Sequence, residues 1–200
     1  MPQLRFSAAD TLDAIVRHDA SDVLLIPTMT LALIEEQKKS RRALPTLRAV
    51  ISSGGRAPAY LWDEIRAWLG PVETVTGYGM TECTASTTVT RPDDPPERLL
   101  NTNGRLRDVG AAGVPERGNR IVDYRVIDPG TGTDVPPGEV GELVAKGPGV
   151  TRGYYRNDEA TAAAFTPDGW LHTGDLGRID ADGYLKLMGR LKESYRCGGE

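Results

Sequence analysis

The chain has 200 residues, 39% of them hydrophobic, enough to bury a substantial core as one large domain or two small ones. Its 24 basic and 28 acidic side chains leave a net charge of -4, and its longest basic cluster, Lys38-Lys39-Ser40-Arg41-Arg42, falls at a predicted helix end where cations complement the dipole, so nucleic acid is not an expected partner. No apolar run approaches the roughly eighteen residues of a membrane span, and Met1-Pro2-Gln3-Leu4-Arg5 lacks a secretion signal's apolar core; the expected setting is soluble and cytoplasmic.

Taken in order, Ser7 followed by Asp10 is a helix start, and Leu12, Ile15 and Val16 fall at helical spacing, which predicts an amphipathic helix to about His18. Residues 23–26 predict a short strand ended by Pro27, and residues 29–39 return to a helical pattern in which Glu35 and Glu36 precede Lys38 and Lys39. Residues 47–51 predict a second strand stopped by Ser52-Ser53-Gly54-Gly55. Pro58 then suits the first turn of a helix carrying Leu61, Ile65, Trp68 and Leu69 on one face. Residues 72–75 predict a third strand. Strands alternating with helices imply a parallel sheet, and such sheets bind ligands beyond the carboxyl ends of their strands. Gly54-Gly55 and Gly77-Tyr78 are two such ends.

After Thr90 comes the proline-rich loop Arg91-Pro92-Asp93-Asp94-Pro95-Pro96, and short strands take over from long helices. Residues 120–127 and 139–146 flank the turn-rich Asp128-Pro129-Gly130-Thr131-Gly132, and Asp180-Ala181-Asp182-Gly183 joins another pair of extended runs. Residues 157–165 are a helical interruption with Asn157 as cap and Asp158 and Glu159 in the first turn. The fold class is α/β: a parallel sheet with flanking helices over residues 1–103, then a small antiparallel β-barrel-like subdomain over residues 104–189. Cys83 and Cys197 lack metal-ligand spacing and read as reduced, packed thiols.

The stretch that concentrates chemistry is Gly77-Tyr78-Gly79-Met80-Thr81-Glu82, just past the third strand. Two glycines spaced by an aromatic permit close approach of backbone to a ligand. Thr81 and Glu82 then set a hydroxyl beside a carboxylate, and together these groups suit a flat ring, a phosphate and a hard cation. Magnesium prefers one or two carboxylates plus phosphate oxygens and water over an all-protein cage. Read by itself, the hexapeptide is equally well a strand end with an ordinary glycine turn and a solvated Glu.

Tyr-Gly-x-Thr-Glu, present as Tyr78 to Glu82, resembles the strongest signature of the adenylate-forming synthetases, the superfamily of acyl-CoA ligases, luciferases and peptide-synthetase adenylation domains. Gly141-Glu142-Leu143, Gly153-Tyr154-Tyr155, Trp170-Leu171-His172-Thr173-Gly174-Asp175 and Gly189-Arg190-Leu191-Lys192 follow in that family's order. The resemblance implies a partial adenylate-forming enzyme fold in which Tyr78 stacks on adenine, the Thr81 hydroxyl contacts phosphate and Glu82 holds magnesium. It places Gly54, Gly55 and Arg56 on the adenine and acyl side of the pocket, with Arg56 standing where many relatives carry Ala, and Gly77 and Gly79 beside the nucleotide. It gives the ribose hydroxyls to Asp175 and a neighbouring ribose oxygen to Arg190. Lys192 becomes the hinge of a smaller domain, so that residues 190–200 read as hinge and domain start. From the residues alone, Asp175 is also a turn-capping carboxylate, Arg190 a surface ion pair and Lys192 a solvated linker lysine. His172, on an extended strand, is expected to be solvated and is given no catalytic role.

The expected function is therefore part of an AMP-forming acyl-CoA ligase, using ATP/AMP, Mg2+ and coenzyme A to convert a carboxylic acid to acyl-adenylate and then to thioester. The rival readings are a non-catalytic nucleotide-binding or assembly module and a peptide-synthetase adenylation domain. The chain has no carrier-protein segment, and its ending Arg196-Cys197-Gly198-Gly199-Glu200 looks more like the CoA ligases. The family's Ser/Thr/Gly-rich phosphate loop and its mobile carboxy-terminal domain are not found, so the chain is expected to be the middle of a synthetase. An unpaired sheet edge and an uncovered face would then invite self-association.

Overall fold

The computed structural model describes residues 5–54, 57–107 and 113–191. The chain divides into two compact units, Met1–Gly77 with Thr90–Leu100, and Tyr78–Val89 with Asn101–Glu200.

In the first unit, helix α1 (Ala8–Arg17) starts at Ser7, which has an extended backbone and whose hydroxyl oxygen accepts the Asp10 N–H at 3.3 Å. Strand β1 (Asp22–Leu25) leads into α2 (Pro27–Ser40), so Pro27 both ends the strand and opens the helix, its missing N–H costing nothing at the first turn. Then follow β2 (Ala49–Ser52), α3 (Leu61–Leu69), which Gly70 ends in the left-handed conformation at φ 63°, and β3 (Glu73–Val75). The strands pair in parallel in the order β1-β2-β3, with Val23 opposite Val50 and Val50 opposite Thr74. The spacing that predicted the helices is the spacing that buries them: Leu12, Leu33, Ile34, Leu61 and Ile65 pack with Val50 and are fully buried or nearly so. Each such side chain contributes about 1.5–3 kcal/mol by leaving water. Beyond β3, the Thr76 N–H donates to Thr90 Oγ1 at 3.0 Å and the Thr90 N–H returns to the Thr76 carbonyl at 2.8 Å.

The second unit begins at Tyr78, within β4 (Gly77–Met80), and continues through a 3-10 turn (Thr81–Cys83) and β5 (Ala85–Val89); β6 (Arg105–Leu106) completes a sheet of order β4-β5-β6. None of these three strands is in the sequence reading. Gly-Tyr-Gly has the composition of a turn, and Thr87 and Thr88 are polar yet buried, satisfied by partners such as the Tyr78 N–H, which donates to Thr88 Oγ1 at 3.0 Å. Short helix α4 (Pro96–Asn101), which belongs to the first unit as far as Leu100, follows the proline-rich loop. The larger sheet holds β7 (Asp123–Ile127), β8 (Gly141–Lys146), β9 (Leu171–Ile179) and β10 (Leu185–Arg190) in the antiparallel order β10-β9-β8-β7. With β7 and β10 at its edges the sheet is open: among the described residues no barrel closes.

Both expected hairpins form. Asp128 Oδ1 accepts the N–H groups of Gly130 and Thr131 at 2.8 Å each in the β7–β8 turn. Asp180 Oδ1 accepts those of Asp182 and Tyr184 in the β9–β10 turn. Gly141 opens β8 directly against the Ile127 carbonyl, where any added Cβ would collide with backbone. Helix α5 (Asp158–Ala164) is capped by Asn157, whose side-chain oxygen accepts the Ala160 N–H at 3.0 Å. Among the described residues no helix is long and apolar enough to cross a membrane.

Candidate active site

Strand β4 carries Tyr78 into an apolar cluster with Val126, Leu143 and Leu185, its ring 5.7 Å from that of Tyr124. Only 7% of the residue is exposed. Its hydroxyl donates to Oδ2 of Asp175 on β9 at 2.6 Å, while Oδ1 lies 3.1 Å from Nε of Arg190, the residue opposite Asp175 on β10. Asp175 is buried to 5% exposure, and a carboxylate so placed needs partners because leaving water unpaired costs several kcal/mol. Tyr78 supplies a neutral one inside the protein and Arg190, whose side chain is 57% exposed, a charged one at the surface. Burial first, and then the bond to Asp175, push ionisation of the Tyr78 phenol far above its ordinary value of 10.0, so it stays a proton donor.

A second layer holds Asp175 in place. Gly174 sits at φ 70°, a left-handed turn within β9, and the Asp175 N–H donates to Thr173 Oγ1 at 3.1 Å. The Thr173 hydroxyl in turn donates to the Leu143 carbonyl at 2.7 Å. Glu142, 4% exposed, accepts the Gly174 N–H at 3.2 Å with one oxygen, and its other oxygen lies 3.0 Å from His172 Nδ1. A carboxylate only accepts, so Nδ1 carries the proton. His172 is thus half-exposed and tied to a buried carboxylate rather than simply solvated. Sequence reasoning missed Glu142 as a supporting residue. Its signal lay in Gly141-Glu142-Leu143 running opposite the His172-to-Asp175 stretch, and that pairing exists only once β8 and β9 are in register.

Thr81 and Glu82 lie on the 3-10 turn after β4, Thr81 exposed and Glu82 half-buried, with Cys83 fully buried behind them and Thr84 ending the turn at φ 61°. Burial raises the Cys83 thiol to about 11, which makes it a packing group rather than a nucleophile. Glu82 Oε1 accepts the Tyr154 hydroxyl at 3.1 Å. Among the described residues no group of three or more His, Cys, Asp or Glu side chains is placed to hold a metal. A cation here would draw on Glu82, water and ligand oxygens, the donor set magnesium prefers, so the residues fit that ion.

Gly77 is buried and Gly79 half-buried within β4. Gly54 follows β2 in the first unit, exposed and at φ 80°, a conformation that favours glycine. Gly55, Arg56 and Lys192 lie outside the described residues.

The sequence pattern of the AMP-binding enzyme family matches residues 1–155. The chain belongs to the AMP-binding enzyme family. A relative within reach is the feruloyl-CoA synthase of Amycolatopsis sp, 34% identical over 195 residues, covering 98% of this chain and 36% of that protein. Another is the pyochelin synthase PchD of Pseudomonas aeruginosa, 37% identical over 186 residues, covering 93% of this chain and 31% of the relative. Among solved structures, the O-succinylbenzoate coenzyme A synthetase MenE of Bacillus subtilis in complex with AMP superposes with a TM-score of 0.74 at 31% identity, over 94% of this chain and 35% of that one. The AMP-binding enzyme chain described here therefore spans about a third of the length of the proteins it matches.

Proposed function

We propose that this chain is part of an AMP-forming acid–thiol ligase, supplying the adenine, ribose and magnesium contacts of an acyl-CoA synthetase. The observation that carries this reading is the Asp175 cluster: a buried carboxylate braced from inside by Tyr78 and met at the surface by a half-exposed Arg190. A carboxylate accepts from two vicinal hydroxyls, and a planar guanidinium donates to neighbouring oxygens, so the pair suits a ribose. The Thr81 hydroxyl, exposed on the turn, donates to phosphate. Tyr78 borders the adenine with what its packing leaves of the ring face and holds Asp175 with its hydroxyl. Gly54, Gly55 and Arg56 belong to the acyl and adenine side and Lys192 to a hinge. Glu82 is the residue that would hold magnesium, which when bound supplies charge neutralisation on phosphate oxygens.

In this reading the carboxylate of the acid attacks the α-phosphorus of ATP, and the bond to pyrophosphate breaks as the acyl-adenylate forms. The coenzyme A thiolate then attacks the acyl carbon and AMP leaves. The chain's own residues contribute by positioning the nucleotide and by hydrogen bonds to oxygens on which charge develops, the kind of donor whose loss typically costs about a hundredfold or more. A cytoplasmic setting, with ATP and coenzyme A at hand, goes with this chemistry.

The test is to incubate the whole gene product with ATP, magnesium, coenzyme A and a panel of carboxylic acids and to measure acyl-AMP and acyl-CoA by mass spectrometry, with Glu82→Gln as control. Acid-dependent acyl-CoA that the control lacks is the expected result. Acyl-AMP without acyl-CoA would move the acceptor to a protein-borne thiol, as in peptide-synthetase adenylation, and no product with any acid would leave a nucleotide-binding module.

A further inference from the structure

The Gly153-Tyr154-Tyr155 motif has no role in the reading above, yet it is built against the Glu82 turn. The Tyr154 hydroxyl donates to Glu82 Oε1 at 3.1 Å, across 72 positions of sequence. Two further bonds lace the same segments together: the Thr151 N–H donates to the Glu82 carbonyl at 2.7 Å, and the Thr84 hydroxyl donates to the Gly149 carbonyl at 2.6 Å. Tyr154 is itself held from behind, its N–H donating to Thr161 Oγ1 at 2.9 Å while that hydroxyl donates to the Asn157 carbonyl at 2.8 Å. Gly153, at φ 151°, lets the chain pass close to α5, where an added Cβ would lie 2.6 Å from Thr161 Cγ2. The neighbouring Tyr155 has none of this: it is 85% exposed, with the Arg156 guanidinium 5.1 Å from its ring.

A carboxylate offers a cation two oxygens. Calcium accepts both at once in a flexible shell of six to eight oxygens, whereas magnesium demands a near-octahedral shell with one oxygen from each carboxylate and several retained waters. Here Oε1 is engaged by a phenol, and Oε2 carries no hydrogen bond among the described residues. We propose that Tyr154 is a positioning residue that makes Glu82 a one-oxygen ligand and thereby sets the site's preference for magnesium over calcium. This rests on the reading that Glu82 meets the nucleotide-bound cation. Hydrogen-bond partners of ligating carboxylates typically change metal affinity about 10- to 100-fold. Tyr154 is 43% exposed, which places it at the low end.

The test reads binding rather than turnover. ATP is titrated calorimetrically into the whole gene product at increasing magnesium, and separately at increasing calcium, and the cation concentration giving half-maximal ATP binding is recorded for wild type, Tyr154→Phe, Tyr155→Phe and Glu82→Gln. Tyr154→Phe should raise the magnesium value about tenfold and the calcium value much less, narrowing the preference, while Tyr155→Phe leaves both unchanged. Because the Tyr154 side chain is at the surface the variant should fold, which an unchanged melting temperature checks. Wild-type values for both cations in Tyr154→Phe, or an equal shift of both, overturn the proposal. If Glu82→Gln leaves the magnesium dependence intact, the assignment of Glu82 itself is what fails.

Discussion

The hydroxyl of Tyr78 donates to Oδ2 of Asp175 at 2.6 Å, joining two motifs that lie 97 positions apart. The bond gives one tyrosine two duties, since its ring fills the cluster of Val126, Leu143 and Leu185 while its hydroxyl fixes the carboxylate proposed to hold ribose. Tyr78→Phe separates them. The ring stays, and Oδ2 of a buried carboxylate is left without its donor, a loss of about 1.5–3 kcal/mol for a bond to a charged group. Urea unfolding should show a loss of that order together with several-fold weaker AMP binding. Unchanged values for both would mean the bond does no work.

The same phenol predicts a pH dependence. Tyr78 and Tyr124 ordinarily ionise at 10.0, and burial pushes both upward in the folded protein. Below pH 10 both states hold the proton and stability is unaffected. Above it the unfolded chain loses the proton first, the folded state binds more protons, and stability falls as pH rises. Denaturation midpoints between neutral pH and pH 11 should decline from about pH 10, less steeply in Tyr78→Phe. A midpoint flat to pH 11 would contradict the buried placement.

Glu142→Ala should destabilise the Thr173-Gly174-Asp175 turn. It removes the acceptor of the Gly174 N–H and the partner of His172, and a part-buried donor left without its acceptor should cost about 1 kcal/mol, the low end of the range for buried donors. Glu142→Gln keeps an acceptor oxygen for Gly174 and should lose less. Paired unfolding curves and AMP titrations decide: equal effects of Ala and Gln, or none, would show that the carboxylate does not position the turn.

The first unit was legible because its signals are local. Leu12 with Ile15, and Leu61 with Ile65 and Leu69, lie on single helical faces, while Pro27 and Gly54 mark the ends of short apolar runs. Both β hairpins were legible from Asp-Gly-rich turns. Strands β4 to β6 were not, because glycines and buried threonines carry no apolar period and their hydrogen-bond partners come from elsewhere in the chain. At the site, Tyr78, Glu82, Asp175 and Arg190 stand out in motifs. That Tyr78 meets Asp175, that Glu142 braces Gly174 and that Tyr154 meets Glu82 depends on strand register and loop packing across 97, 32 and 72 positions. No local pattern encodes those distances.

The central claim is that nucleotide binds at Asp175, and calorimetric titration of AMP into wild type and Asp175→Ala tests it most directly. The variant should bind AMP more weakly by about 3–6 kcal/mol, the worth of two hydrogen bonds to a charged acceptor, while its circular dichroism stays that of the folded protein. Equal AMP affinity in the two folded proteins would contradict the account and remove Asp175, with Tyr78 and Arg190, from the site.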